Sequence, residues 1–235
     1  MEKRNRNAFS PVNFKHKPID GVVFDMDGLL LDTERLSMRA WQAGARRHGL
    51  ALPDSLFLEM IGHRNADCMA ILSWYCGGGI AEAAIAGDVQ REYEALLAAG
   101  VPVKPGAREL LTLLRAAGLP LGVATSTHGA LARSKLERAG LLPFFRSVTG
   151  GDEVPRGKPA PDIYLAATRA LTLDPTQCLA FEDSSPGALS AAAAGLRVTI
   201  VPDLKPPTAE ARRIACAECA SLHEAAALFE NVPSA

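Results

Sequence analysis

The sequence predicts an α/β protein with a doubly wound parallel sheet and an inserted α-helical domain. A short apolar run, Gly21–Phe24, ends directly at acidic residues, which is typical of a buried strand in a parallel sheet. Residues 33–103 show only helical patterns, whereas apolar runs alternate with amphipathic stretches from residue 104 onward. Alternating strands and helices favour a parallel sheet with helices packed on its faces.

Composition narrows the class of protein. The chain has 235 residues, of which 48% are hydrophobic and 22% charged, so it can bury a sizeable core. Its formal net charge of −1 gives no electrostatic argument for nucleic acid or a membrane surface as partner. The polar N-terminus lacks the apolar segment of a secretory signal, and five cysteines, an odd number, indicate reduced thiols. We therefore expect a cytoplasmic monomer with no nucleic-acid partner and no membrane association.

The same patterns divide the chain into three parts. Residues 1–17 are polar and basic, and we expect them to be a flexible tail. The α/β core is predicted to comprise residues 18–32 and 104–235, and a helical cap is predicted over residues 33–103. Further strands are expected at 119–124, near 145–148, at 178–181 and at 197–201, and core helices are expected at 129–139, 160–171 and 186–194.

Polar residues follow the predicted strands at the points where each strand ends. The carboxyl ends of parallel strands meet at one edge of a sheet, where ligands of open α/β sheets bind. Each group alone also has a structural explanation, because Ser, Thr and Asp commonly cap helices and a loop lysine is usually a solvated charge. The candidates are Asp25 and Asp27 after the first strand, Thr125 and Ser126 after the strand at 119–124, Lys158 between Gly157 and Pro159, and Glu182 and Asp183 after the strand at 178–181.

Charge balance predicts a cation among these side chains. Four carboxylates in one crevice repel each other by several kcal/mol at protein-like dielectric, on the order given by Coulomb's law. A divalent ion together with Lys158 would compensate most of that charge. Mg²⁺ prefers one or two carboxylates together with waters and phosphate oxygens. The sequence therefore predicts a magnesium site for a phosphorylated ligand.

In their order and spacing, these groups resemble the haloacid dehalogenase superfamily. The matching blocks are Asp25-Met26-Asp27-Gly28, Thr125 after a strand, Lys158 in Gly-Lys-Pro, and Glu182-Asp183 before Ser-x-x-Gly. The segment from Phe24 to Arg35 is similar to the branch that contains helical-cap phosphatases and β-phosphoglucomutase-like proteins. Together with Val201-Pro202-Asp203 it also looks like pseudouridine-5′-phosphatase and sugar-phosphate phosphatases.

The resemblance implies a Rossmann-like hydrolase core and a role for each matching residue. Asp25 would be the nucleophile that forms an aspartyl-phosphate, and Asp27 would be the general acid and base. Thr125 and Lys158 would hold the transferring phosphate, with Ser126 as a further contact. Mg²⁺ would be bound by Asp25, Asp183 and the backbone carbonyl of Asp27, with Glu182 in the outer shell. The implied reaction is hydrolysis of a small phosphorylated metabolite, either a sugar phosphate or a nucleoside monophosphate.

The predicted cap holds the substrate loop of this family, which corresponds to His63, Arg64 and Asn65. Each of these three residues is equally explained as an exposed polar residue at a helix end. In a β-phosphoglucomutase-like enzyme Arg64 could bind a second phosphate, yet the lysine expected ahead of Tyr93 is absent. Hydrolysis is therefore preferred, while a phosphomutase and a non-catalytic binding module stay as alternatives.

Overall fold

The structure is a computed structural model that describes residues 13–14, 17–61 and 65–230. These ranges contain nine strands and ten α-helices. The strands are β1 (Asn13–Phe14), β2 (Lys17–Pro18), β3 (Gly21–Phe24), β4 (Leu121–Ala124), β5 (Ser147–Thr149), β6 (Cys178–Glu182), β7 (Arg197–Ile200), β8 (Ala217–Glu218) and β9 (Phe229–Glu230). The helices are α1 (Thr33–Arg47), α2 (Asp54–Met60), α3 (Asn65–Tyr75), α4 (Glu82–Ala99), α5 (Ala107–Ala116), α6 (Gly129–Arg138), α7 (Asp162–Leu171), α8 (Ser185–Ala193), α9 (Ala209–Ile214) and α10 (Leu222–Ala226).

A six-stranded sheet forms the centre of the molecule, with the strand order β5-β4-β3-β6-β7-β8. Every pair of neighbours in this sheet is parallel. The central strand β3 is buried at all four residues, which explains why it is apolar throughout instead of alternating with polar residues.

Helices cover both faces of this sheet, so the predicted doubly wound α/β class is confirmed. Val22 and Phe24 of β3 pack in one apolar cluster with residues of α5, α6 and α10. Val23 points to the other face, where it packs in a second cluster with residues of α7, α8 and α9. Along the described ranges, no helix is long and apolar enough to cross a membrane.

The helices α1–α4 lie between β3 and α5 in the chain, and they have an apolar cluster of their own. This cluster includes Trp41, Phe57 and Leu72, which are all buried. The position of these helices agrees with the expected insert, while the exact division at residues 33–103 stays a prediction.

Part of the segment expected as a flexible tail, residues 1–17, is described by the structure, and that part is paired in strands. Strand β1 pairs antiparallel with β2 and with β9. Phe14 is 1% exposed because its ring packs edge-on against Phe229 at a centroid distance of 5.4 Å. Burial of this aromatic side chain holds the segment against the core. Residues 1–12 lie outside the described residues.

Several element boundaries differ from the expected ones by one or two residues; the strand expected at 119–124, for example, begins at Leu121. Two of the differences have a local reason. The strand expected near residues 145–148 begins at Ser147, because Leu142–Phe144 form a short 3₁₀ helix ahead of it. The helix expected at 160–171 begins at Asp162, because the prolines at 159 and 161 in the sequence Gly-Lys-Pro-Ala-Pro disfavour an earlier helical turn.

Candidate active site

The carboxyl ends of β3, β4 and β6 bring polar side chains to one edge of the sheet. The N–H of Asp25 donates to the carbonyl of Phe181 at 2.9 Å, and the N–H of Thr125 donates to the carbonyl of Thr149 at 3.1 Å. These bonds extend the ladder one residue beyond β3 and β4. The side chains therefore stand on rigid backbone at the sheet edge.

A tight turn after β3 brings the chain close to Asp183. Gly28 has φ +85°, and an added Cβ there would collide with Oδ2 of Asp183. Glycine is required at this position both for its backbone conformation and for the close approach.

Lys158 lies between two buried carboxylates. Its Nζ is 2.5 Å from Oδ1 of Asp25 and 2.5 Å from Oε1 of Glu182. The hydroxyl of Tyr164 also donates to Oε1 of Glu182 at 2.7 Å, and that of Ser184 donates to Oε2 at 2.9 Å. Burial opposes the charge of Lys158, but Asp25 and Glu182 outweigh it and raise its pKa. Both oxygens of Glu182 are thus already engaged.

Asp25, Glu182 and Asp183 can each offer an oxygen within 4.8 Å of the others. Burial, together with Glu182 and Asp27, raises the pKa of Asp25 to about 8 against the opposing effect of Lys158. The pKa of Asp183 is likewise raised well above its ordinary value by burial and by its acidic neighbours. One lysine therefore does not compensate this group of acids. Hard oxygen donors with excess negative charge fit a divalent cation of the Mg²⁺ type.

Asp27 accepts hydrogen bonds from a different set of donors than those three acids. Its Oδ1 accepts from the Thr33 hydroxyl at 2.6 Å and from Nζ of Lys135 at 2.8 Å. Its Oδ2 accepts from the hydroxyl of Thr127 at 2.7 Å and from that of Thr125 at 3.4 Å. Burial alone would raise the pKa of Asp27, but Lys135 and the two closer hydroxyl groups hold it below its ordinary value.

Comparison with known proteins decides which family this site belongs to. A sequence model of the haloacid dehalogenase-like hydrolases matches residues 19–195. The chain belongs to this family. The predicted resemblance is therefore confirmed.

Individual members of this hydrolase family resemble the chain over most of its length. Hexitol phosphatase A of Escherichia coli is 37% identical over 77% of this chain and 82% of its own. Validoxylamine A 7′-phosphate phosphatase of Streptomyces hygroscopicus is 36% identical over 74% of this chain and 82% of its own. The crystal structure of CbbY from Rhodobacter sphaeroides in complex with phosphate superimposes with a TM-score of 0.71 and 27% identity, covering 88% of this chain and 96% of that chain.

In this hydrolase the predicted site residues fall into three groups. The acids Asp25, Glu182 and Asp183 lie together with Lys158. The carboxylate of Asp27, for which a role as general acid and base was expected, is held by Lys135 and hydroxyl groups, and Thr125 lies beside it. The expected metal contact of the Asp27 backbone carbonyl stays a prediction. Ser126 is exposed. His63 and Arg64, and the side chain of Asn65, lie outside the described residues, so their roles stay predictions.

Several residues that shape the site were not predicted from the sequence. Tyr164 donates to Glu182 and Thr127 donates to Asp27. Tyr164 looks like an ordinary helix residue, and Thr127, in the sequence Thr125-Ser-Thr127, indicates a donor to phosphate and not a donor to Asp27. Lys135 looks like a solvated charge in the polar stretch Arg133-Ser-Lys-Leu-Glu-Arg138. Its spacing gives the one available signal, because it follows the buried Ala132 by three residues and precedes the buried Leu136, which places it on the apolar face.

Proposed function

We propose that this hydrolase is a Mg²⁺-dependent phosphatase that releases inorganic phosphate from a small phosphorylated metabolite. One observation carries the proposal. Asp25, Glu182 and Asp183 can each offer an oxygen within 4.8 Å of the others, and Nζ of Lys158 lies 2.5 Å from Asp25 and 2.5 Å from Glu182. A carboxylate nucleophile beside acids suited to a divalent cation, and beside a fixed lysine, is an arrangement that supports phosphoryl transfer.

In the first step, Asp25 acts as the nucleophile. Its carboxylate oxygen attacks phosphorus, and the bond between phosphorus and the leaving oxygen breaks to give an aspartyl-phosphate. Asp27 gives a proton to the leaving oxygen, which departs as an alcohol. Lys158 and Thr125, both beside these acids, would stabilise the charge on the transferring phosphoryl group.

In the second step, water regenerates the enzyme. Asp27, now a carboxylate, takes a proton from water as the water oxygen attacks phosphorus. The bond between phosphorus and Asp25 breaks, and inorganic phosphate is released. The low pKa of Asp27 supports this second role, whereas the first requires that Asp27 has gained a proton beforehand.

Asp25, Asp183 and the backbone carbonyl of Asp27 would hold the Mg²⁺. Glu182 would stand behind them, because its two oxygens are already bonded to Lys158, Tyr164 and Ser184. When bound, the ion supplies charge neutralisation for the acids and the phosphoryl oxygens.

Phosphorylated sugars and polyols are the substrate class we favour. Relatives of this chain are named as a hexitol phosphatase, a validoxylamine A 7′-phosphate phosphatase and a phosphorylated carbohydrates phosphatase. Nucleoside monophosphates stay in the test set as the second predicted class.

The proposal is tested by phosphate release from a panel of sugar, polyol and nucleoside monophosphates, with Mg²⁺ or with a chelator. We expect turnover that needs the metal and that falls at least about 10³-fold in Asp25→Asn, because that variant lacks the nucleophile. Asp20→Asn is the matched control, since Asp20 is exposed and lies just before β3.

Three outcomes would contradict the proposal. Undiminished turnover in Asp25→Asn would refute the nucleophile. Isomerisation of a sugar phosphate that depends on a bisphosphate activator would favour the phosphomutase. Binding of metal and phosphate without turnover of any substrate would favour the non-catalytic module.

A further inference from the structure

Lys135 is a buried cation that the proposed chemistry does not use. It lies on α6, and its side chain is only 4% exposed. Within the described residues, its ion pairs involve Asp27 alone, at 2.8 Å. Its Nζ also lies 5.3 Å from the centre of the Tyr93 ring, which is within the range of a cation–π contact.

Fold stability alone does not account for this lysine. Moving an ammonium group out of water is costly, and an apolar side chain of similar size would often stabilise such a position equally well or better. The neighbouring positions on the same face of α6, Ala132 and Leu136, are apolar and fully buried. The charge of Lys135 at this position is explained better by its contact with Asp27.

The contacts of Lys135 fix the direction of the Asp27 carboxylate. Oδ1 of Asp27 accepts from Lys135 on α6 and from Thr33 on α1, and Oδ2 accepts from Thr127 in the turn after β4. Hydroxyl groups rotate and can accept other partners, whereas the lysine is a buried cation beside an anion, which is the stronger, charge-assisted contact. Tyr93 belongs to α4, so the helical insert takes part in holding the lysine.

We propose that Lys135, kept in place by Tyr93, is a positioning residue that aims Asp27 at the leaving oxygen of the substrate. The inference rests on the proposed phosphatase function and assigns a residue to one step of it. Without Lys135, Asp27 is still present, but its carboxylate is held by hydroxyl groups alone, which rotate, so it can turn away from the leaving oxygen. Departure of the alcohol then loses its proton donor, while attack by Asp25 does not.

Leaving groups of different basicity separate this role from a structural one. An alkyl phosphate needs a proton on its leaving oxygen, whereas p-nitrophenyl phosphate releases a stable anion without one. The ratio kcat/KM is the appropriate measurement, because it includes leaving-group departure but excludes hydrolysis of the aspartyl-phosphate. In Lys135→Met we expect kcat/KM to fall by about 100-fold for the best alkyl substrate and by less than about 5-fold for p-nitrophenyl phosphate, in line with the usual size of general acid catalysis.

Three further variants complete the experiment. Lys135→Arg keeps the charge. On a logarithmic scale, it should recover at least half of the change in the ratio of kcat/KM between the alkyl substrate and p-nitrophenyl phosphate. Tyr93→Leu should show the same bias towards p-nitrophenyl phosphate, whereas Tyr93→Phe, which keeps the ring and loses the hydroxyl contact with Lys135, should show a clearly smaller one. Lys104→Met is the matched control, because it removes another partly buried lysine, paired to Asp203 at 2.6 Å, and should change both substrates by one common factor.

An equal loss for both substrates in Lys135→Met, or no loss for either, would overturn the positioning role. If that variant does not fold, the two Tyr93 variants decide, and an unbiased Tyr93→Leu overturns the proposal. Failure of the phosphatase function itself looks different, because the unmodified enzyme would then release no phosphate from any substrate.

Discussion

At the scale of single residues, surroundings separate two acids that the sequence places almost side by side. Asp25 follows β3 into a group of acids in which, among the described residues, Lys158 supplies the ion pairs. Asp27 lies beyond one further residue and meets Lys135. A third acid, Glu34, lies nearby on α1, where burial and then the charges of Asp27 and Asp203 raise its pKa to about 7.

Substitution of Glu34 by Gln should change the pH dependence of stability. Because its pKa rises from 4.5 to about 7 on folding, the folded state favours the protonated carboxyl, and this contribution is lost as the pH rises through 7. Gln imitates the protonated form at every pH. Relative to the unmodified protein, Glu34→Gln should therefore gain up to about 3 kcal/mol in free energy of unfolding between pH 5 and pH 8.

Urea unfolding of both proteins at pH 5 and pH 8, in the presence of a chelator, measures this difference. Glu137→Gln removes a carboxylate from an exposed position on α6 and controls for the loss of one negative charge. An identical pH dependence for the two variants would show that the surroundings of Glu34 have no such effect.

At the scale of elements, the chain enters the helices α1–α4 after β3 and returns to the α/β core before α5. These two connecting segments, the crossings, lie side by side. Leu31 and Val103 form a β-bridge. Asp203, from the loop after β7, joins both crossings, because its Oδ1 accepts from Arg35 at 2.9 Å and from Lys104 at 2.6 Å. The side chain of Asp203 is only 3% exposed, so these pairs are shielded from solvent on the acid side.

Asp203→Asn should destabilise the protein by about 1–3 kcal/mol, because it removes the charge that compensates the partly buried Lys104. Asp32→Asn is the matched control, since Asp32 pairs with the same exposed Arg35 within one helical turn and should cost less than about 1 kcal/mol. Both values come from urea unfolding at pH 7. Equal costs for the two variants would mean that Asp203 does not join the crossings.

The elements also mark the limit of what the sequence could predict. Strands β3, β4 and β6 were predictable because each is an apolar run with polar residues at its end. The edge strands β1 and β9 have two residues each, too few to display a period. Lys135 was missed for another reason: it lies in the polar stretch Arg133-Ser-Lys-Leu-Glu-Arg138, and only tertiary packing shows that it faces Asp27.

At the scale of the whole molecule, a row of aromatic rings connects the edge of the fold to its centre. Phe14 of β1 contacts Phe229 of β9 edge-on. Phe229 lies 6.3 Å from Phe181 of β6, which stacks on Phe24 of β3 at 5.2 Å. Phe24 directly precedes the candidate nucleophile Asp25. The small sheet of β1, β2 and β9 is thus packed onto the same apolar cluster as the central strand.

Phe14→Ala should therefore cost about 3–5 kcal/mol of stability, as is typical when a buried phenylalanine is removed. Thermal and urea unfolding measure the loss. Leu131→Ala removes a large side chain that is 41% exposed and serves as the control, with an expected change below about 1 kcal/mol. Similar values for the two variants would indicate that β1 contributes nothing to the folded state.

The aromatic row has a practical consequence for anyone who shortens this enzyme. Trimming the gene to residues 19–195, the part that the family shares, would delete β1 and β9 together with β7 and β8. Phe181 would then face water on the side where the Phe229 ring now covers it. Such a fragment would expose an apolar surface close to Asp25, and we expect it to aggregate.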